Sequence, residues 1–169
     1  IPVLIACNTE GGGDGACADG TPIASEIKIG ATGNEDYARA LGKMSSEEAA
    51  AIRCHMAVAP PRAIPYNWEN TEIITRSFGS DPALVAKMSP AYMEGAHSTP
   101  GFACTAKHFP GNGLDFRDAH IANNVNTFDP ATWDATYGMV YKTMFDNGLE
   151  AVMGGHIMLP EYAKLINPD

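Results

Sequence analysis

Positive charge is what this chain has least of. Eleven Lys and Arg stand against twenty Asp and Glu in 169 residues, a formal net charge of −9 at pH 7, with a pI near 4.9. Nucleic acid and anionic membranes both require a basic face, so the balance argues against either as a partner and favours a neutral small molecule. Cysteine is scarce too. Cys7, Cys17, Cys54 and Cys104 lie 10, 37 and 50 residues apart, with no Cys-x-x-Cys. That spacing favours reduced, buried thiols over a bridge or a zinc site, and it leans the localisation towards the cytoplasm. No stretch approaches the roughly 18 apolar residues of a membrane helix, and Ile1 to Ile5 lacks the basic flank of a signal peptide. The chain reads as soluble. Its glycine run, Gly11 to Gly15, contains no Lys, Ser or Thr in the phosphate-cradling pattern, which weakens a nucleotide-binding role, and no cofactor is expected.

Apolar content, by contrast, is ample. At 45% hydrophobic the chain can bury a real core. Strand patterns alternate with helix patterns along it. Ile1 to Cys7 reads as a buried strand, and Gly11 to Gly20 as a loop. A helix follows the cap Asn34, with Tyr37, Leu41, Met44 and Ile52 on one stripe. Met56 to Ala59 is a short strand stopped by Pro60-Pro61, and a long polar loop then runs to Ser80, of a length usually found over functional sites. Asp81-Pro82 opens a helix as cap and first-turn proline, with Leu84, Val85, Met88 and Tyr92 inward. Pro90 falls inside it and should kink or shorten it. Phe102 to Ala106 is a buried strand, and Asp129-Pro130 opens a third helix with Trp133, Tyr137, Val140, Tyr141, Met144 and Phe145 on its apolar stripe. Gly148 ends that helix, and Ala151 to Gly155 is the last strand. The order predicts an α/β fold, a parallel sheet with right-handed crossovers.

The most informative run is Lys107-His108-Phe109-Pro110-Gly111-Asn112-Gly113, followed by Asp118-Ala119-His120. It sits where the strand from Phe102 should emerge, and the carboxyl ends of parallel strands are where ligands bind and chemistry is done. One cation, two imidazoles and a carboxylate thus meet in one loop. These residues resemble the family 3 glycoside hydrolases, in particular their β-N-acetylhexosaminidase branch, whose pattern is Lys-His-Phe-Pro-Gly-His-Gly followed by Asp-Ser-His. Three further segments resemble the same family in the same order: Ile1 to Ile5 leading to Glu10-Gly11-Gly12; Thr75-Arg76-Ser77-Phe78-Gly79-Ser80-Asp81-Pro82; and Ala151-Val152-Met153-Gly154-Gly155-His156-Ile157.

The resemblance implies that residues 1–169 are part of a TIM-type (β/α) barrel domain that lacks a first strand and several C-terminal strand-helix units, since a whole barrel takes about 250 residues. An open barrel would expose strand edges at Ile1 to Cys7 and Ala151 to Gly155, so self-association or a complementary barrel fragment is expected. The resemblance also implies a retaining exo-acting β-glycosidase, most simply a β-N-acetylhexosaminidase, with a carbohydrate as substrate. His120 would be the acid/base and Asp118 the carboxylate that orients it; an unperturbed imidazole pKa near 6.5 suits proton transfer in both directions. Arg76, Lys107, His108, Asn8 and His156 would line the sugar site. Arg76 pairing with Asp81 or Glu72, and His156 as a buried imidazole, are the structural alternatives.

The family's nucleophile, an aspartate on a later strand end, matches no Asp here, Asp169 included, so 1–169 alone is expected to be nearly inactive. Three departures bear on sugar binding. Asn8-Thr9-Glu10 replaces Asp-Gln-Glu, Pro60-Pro61-Arg62-Ala63 replaces a segment that carries an aspartate, and Asn112 replaces the loop's second histidine. Alternative readings are an inactive sugar-binding or assembly fragment, a glycoside phosphorylase, because a neutral imidazole repels an anionic acceptor less than a carboxylate would, and a metal-dependent barrel hydrolase using His108, His120, His156 and an Asp. The last lacks a paired His-x-His.

Overall fold

The structure is a computed structural model that describes residues 3–61 and 63–167. Four parallel strands form its sheet in the order of the chain: β1 (Ala6–Cys7), β2 (Met56–Ala57), β3 (Ala103–Phe109) and β5 (Ala151–Gly154). Sequential strands pair with their neighbours, which is how an arc of a (β/α) barrel is built. Backbone bonds extend the short ladders, His55 donating to Ile5 O at 2.8 Å, Val58 to Cys7 O at 2.8 Å and Ala103 to His55 O at 2.9 Å. The parallel α/β expectation holds. A second, two-stranded sheet, β4 (Asn124–Val125) with β6 (Ile157–Met158), was not legible in the sequence.

The helices stand where their caps put them. α1 (Glu26–Ala31) precedes α2 (Glu35–Ala51), whose cap Asn34 accepts from the Asp36 amide at 3.0 Å. α3 (Pro82–His97) is capped by Asp81, which accepts from the Ala83 amide at 2.9 Å. α4 (Pro130–Trp133) is capped by Asp129 and continues through a π turn at Asp134–Gly138 into α5 (Met139–Asp146); α6 (Pro160–Ile166) follows β6. The π turn and the α1 and α6 helices were not anticipated. α3 runs on past Pro90 to His97, so that proline does not shorten the helix.

Two faces differ from the sequence reading. Tyr37, Met44 and Ile52 are exposed, and only Leu41 of that stripe is buried. α2 instead turns its small residues, Ala38, Gly42, Ser45, Ser46 and Ala49, towards the interior. The reason is closeness of approach: a Cβ on Gly42 would lie 2.0 Å from Tyr92 O on α3, and one on Gly95 would lie 1.9 Å from Arg39 O on α2. Backbones that close leave no room for large side chains between them. Similarly, Val3, Leu4 and Ile5 are exposed rather than buried, because β1 is a sheet edge with a partner on one side only. β5 is the other edge, with Val152 and Met153 each 37% exposed. Ile1 lies outside the described residues. The core itself is formed by Val85, Met88, Tyr92 and Met93 of α3 and by Tyr137, Val140, Tyr141 and Met144, packed on Ala57, Cys104 and Ala106 of the sheet. Phe145, expected on the inner stripe, is exposed.

Candidate active site

Three of the four strands in the main sheet deliver a polar residue at the carboxyl end, while β2 leads into Val58-Ala59-Pro60-Pro61. Asn8 follows β1, Lys107 and His108 close β3, and His156 follows β5. The ladder between β2 and β3 extends to a bridge between Pro61 and Lys107, so the two prolines lie at the strand exit without breaking the sheet there. The long loop before α3 brings Arg76 and Glu72 over the same end.

Lys107 is almost fully buried, at 3% exposure, and its ammonium stands 2.5 Å from Glu10 Oε1. It also donates to Asn8 Oδ1 at 2.9 Å. Asn8, where the resemblance implies an aspartate, thus leaves an acceptor on the amine without the charge. Arg76 grips Glu10 in a fork, Nε to Oε2 and Nη2 to Oε1, both at 2.9 Å. Burial pulls the Glu10 pKa up, but the Arg76 hydrogen bond and the Lys107 charge outweigh it, and the group titrates below its ordinary range. An ammonium has three donors and a guanidinium five. Bonds to Glu10, Asn8 and Glu72 use two of the three ammonium donors and three of the five guanidinium donors.

Glu72 organises the other side. It accepts from Arg76 Nη1 at 3.4 Å, from Asn112 Nδ2 at 3.0 Å and from the Ala119 amide at 3.1 Å. Asp118 Oδ1 accepts from the His120 amide at 2.8 Å and lies 2.7 Å from His120 Nδ1. These bonds hold the Asp118 carboxyl below its usual range. A carboxylate on Nδ1 selects the tautomer that leaves Nε2 to exchange a proton. His108 differs sharply: burial, then the Lys107 and Arg76 charges, lower its pKa to about 4, so at neutral pH it is an uncharged ring.

His108, His120 and His156 line one cavity of about 190 Å³ with Glu72, Met153, Gly154 and Gly155. A larger hollow of about 470 Å³, lined by Asn8, Glu10, Asp14 and Lys28, contains no imidazole. The imidazoles thus gather at the smaller one. All seven residues expected from sequence fall at this end of the sheet. Direct bonds join Asn8 to Lys107 and Asp118 to His120; Glu10 joins Arg76 to Lys107, Glu72 joins Arg76 to the Asp118–His120 turn, and His108 and His156 share only the cavity.

Those two glutamates are what sequence reasoning under-read. Glu10 lay in a matched Glu-Gly-Gly, and Glu72 stands four residues before Arg76, a spacing that signals a pair. Asp81, the other partner considered for Arg76, is instead the α3 cap. Asn112 is 2% exposed. Its amide bonds Glu72, and its oxygen accepts from the Gly113 amide at 2.7 Å and Asn124 Nδ2 at 3.2 Å. It braces the loop from inside. Arg62 lies outside the described residues. Among those described, the group whose ligand atoms could close on one metal ion is Glu72, Asp118 and His120, within 4.8 Å of one another, and not a set built on His108 and His156. No helix among the described residues is long and apolar enough to cross a membrane.

The family model for the glycosyl hydrolase family 3 N terminal domain matches residues 1–165. A beta-N-acetylglucosaminidase/beta-glucosidase of Cellulomonas fimi is 39% identical over 99% of this chain, which spans 30% of that protein. A beta-hexosaminidase of Xanthomonas campestris pv. campestris is 30% identical over 96% of the chain, which spans 50% of it. The solved beta-glucoside phosphorylase BglX superposes with a TM-score of 0.96 at 38% identity, over 99% of this chain and 31% of that one. The chain thus spans half or less of the length of these relatives.

Proposed function

Because the chain belongs to glycosyl hydrolase family 3, through its N-terminal domain, we propose that it carries the acid/base half of a retaining site for terminal β-linked sugars, N-acetylglucosamine foremost. His120 protonates the departing glycosidic oxygen as a nucleophilic aspartate outside 1–169 attacks the anomeric carbon; the imidazole then takes a proton from the water that releases the sugar. Asp118 holds Nδ1 throughout. Lys107 and Arg76 donate to sugar hydroxyls, the uncharged His108 adds a neutral partner beside them, and Asn8 and His156 complete the wall. Residues 1–169 are then part of a (β/α) barrel, completed by further strand-helix units, a complementary fragment or a second copy at the β1 and β5 edges.

The observation that carries this reading is the 2.7 Å contact of Asp118 Oδ1 with His120 Nδ1 beside the cavity at the strand ends. The test is His120→Ala in the protein with its barrel completed, assayed on an aryl N-acetyl-β-glucosaminide. General acid/base catalysis contributes about 10²–10⁴-fold, and a loss of that order is expected in kcat. Unchanged turnover would refute the role of His120, and vigorous hydrolysis by 1–169 alone would refute the missing nucleophile. If 1–169 binds N-acetylglucosamine calorimetrically without cleaving its glycosides, it is a binding fragment in isolation.

The likeness to a beta-glucoside phosphorylase favours a second reading, in which inorganic phosphate attacks the glycosyl intermediate in place of water. Its test is product release with and without phosphate. A rate independent of phosphate, with no sugar phosphate formed, rules it out.

A further inference from the structure

One carboxylate outside the Asp118–His120 pair ties together more separate residues of the site than Glu10 does. Glu72 exposes only 4% of its side chain, yet its two oxygens serve three different stretches of chain. Oε2 accepts from Asn112 Nδ2 at the base of the loop after β3 and from the Ala119 amide at the loop's far end. Oε1 accepts from Arg76 and stands 3.9 Å from His120 Nδ1. The Ala119 amide belongs to the Asp118–Ala119 peptide bond, directly before His120. The segment's other bonds are local: the Asp118 carboxylate bonds His120, and the Ile121 and Ala122 amides both donate to Asp118 O at 3.0 Å, while the side chain of His120 is 65% exposed.

We propose that Glu72 is a positioning residue for His120, pinning the Asp118–Ala119 peptide to the strand end and setting a second carboxylate against the imidazole. The inference rests on the reading of His120 as acid/base. Outer partners of this kind commonly change activity by about 10- to 100-fold when removed.

The experiment compares Glu72→Ala, Glu72→Gln, His120→Ala and the parent, each with the barrel completed, on two substrates. One is an aryl glycoside with a poor leaving group that requires protonation; the other is a dinitrophenyl glycoside that departs without it. Misplacing a proton donor slows the first and spares the second. Glu72→Ala is expected to lose about 10- to 100-fold in kcat/KM, which reports the leaving-group step, on the poor leaving group, and much less on the good one. Glutamine can still accept from Asn112 and Ala119, so Glu72→Gln is expected to recover part of the loss. That near-isosteric variant carries the comparison if the alanine variant does not fold. Equal losses on both substrates, or none on either, would overturn the positioning role while His120→Ala still shows the leaving-group dependence. Should His120→Ala itself lack that dependence, the acid/base reading fails first.

Discussion

Removing the Glu10 carboxylate tests the electrostatic core of the site. Glu10 is 17% exposed and bonds two cations, Lys107 at 3% exposure and Arg76 at 28%. Breaking a buried ion pair costs about 3–5 kcal/mol, because a charge is left without its partner. Here the cost is smaller. Arg76 keeps Glu72 and some solvent, and Lys107 keeps the Asn8 amide oxygen, so about 2–3 kcal/mol is expected for Glu10→Ala. In a domain of this size each kcal/mol moves the melting temperature by about 2–4 °C, which predicts a fall of about 4–12 °C. The acid limb gives a second reading. The native pKa of Glu10 is lowered, so the folded state binds its proton less readily than the unfolded chain. Its contribution is present above the unfolded carboxyl pKa, near 4.3, and is lost as pH falls through the lower native value. Glu10→Gln should therefore be destabilised at pH 7 and have a shallower loss of stability below about pH 4. Thermal unfolding followed by circular dichroism at several pH values measures both. A melting temperature within a degree of the parent for Glu10→Ala would show that the two cations need no carboxylate, and would sink the account of the network.

Other groups make further tests. His108 has a native pKa of about 4, below the unfolded value near 6.5, so the unfolded chain takes up its proton first; stability from this ring is complete above about pH 6.5 and is lost as pH falls towards 4. Its ring resonances in NMR should titrate near 4, and a midpoint above 6 would contradict the burial beside Lys107 and Arg76. At the α2–α3 crossing, Gly42→Val forces a side chain against Tyr92 O, and the denaturant midpoint should report a loss of about 1–3 kcal/mol or more. An unchanged midpoint would mean the helices are further apart than described.

The sequence by itself determined the rhythm of the chain and the chemistry of its strand ends. Caps act locally, so Asn34, Asp81 and Asp129 marked three helix starts that the structure reproduces. The Lys107-His108 run and the Asp118-x-His120 pair were legible because a few adjacent residues define them. Tertiary structure decided what depends on distance through space. Tyr37 and Met44 fit an inward stripe, but the approach of α2 to α3 needs small residues, so that stripe faces outward. Glu10 and Glu72 became the anchors of the site because folding carried them to cations 66 and 4 residues away in sequence and to a backbone amide 47 residues away. A carboxylate's partners lie along whatever bonds the fold closes, and of these only the four-residue spacing of Glu72 and Arg76 was local.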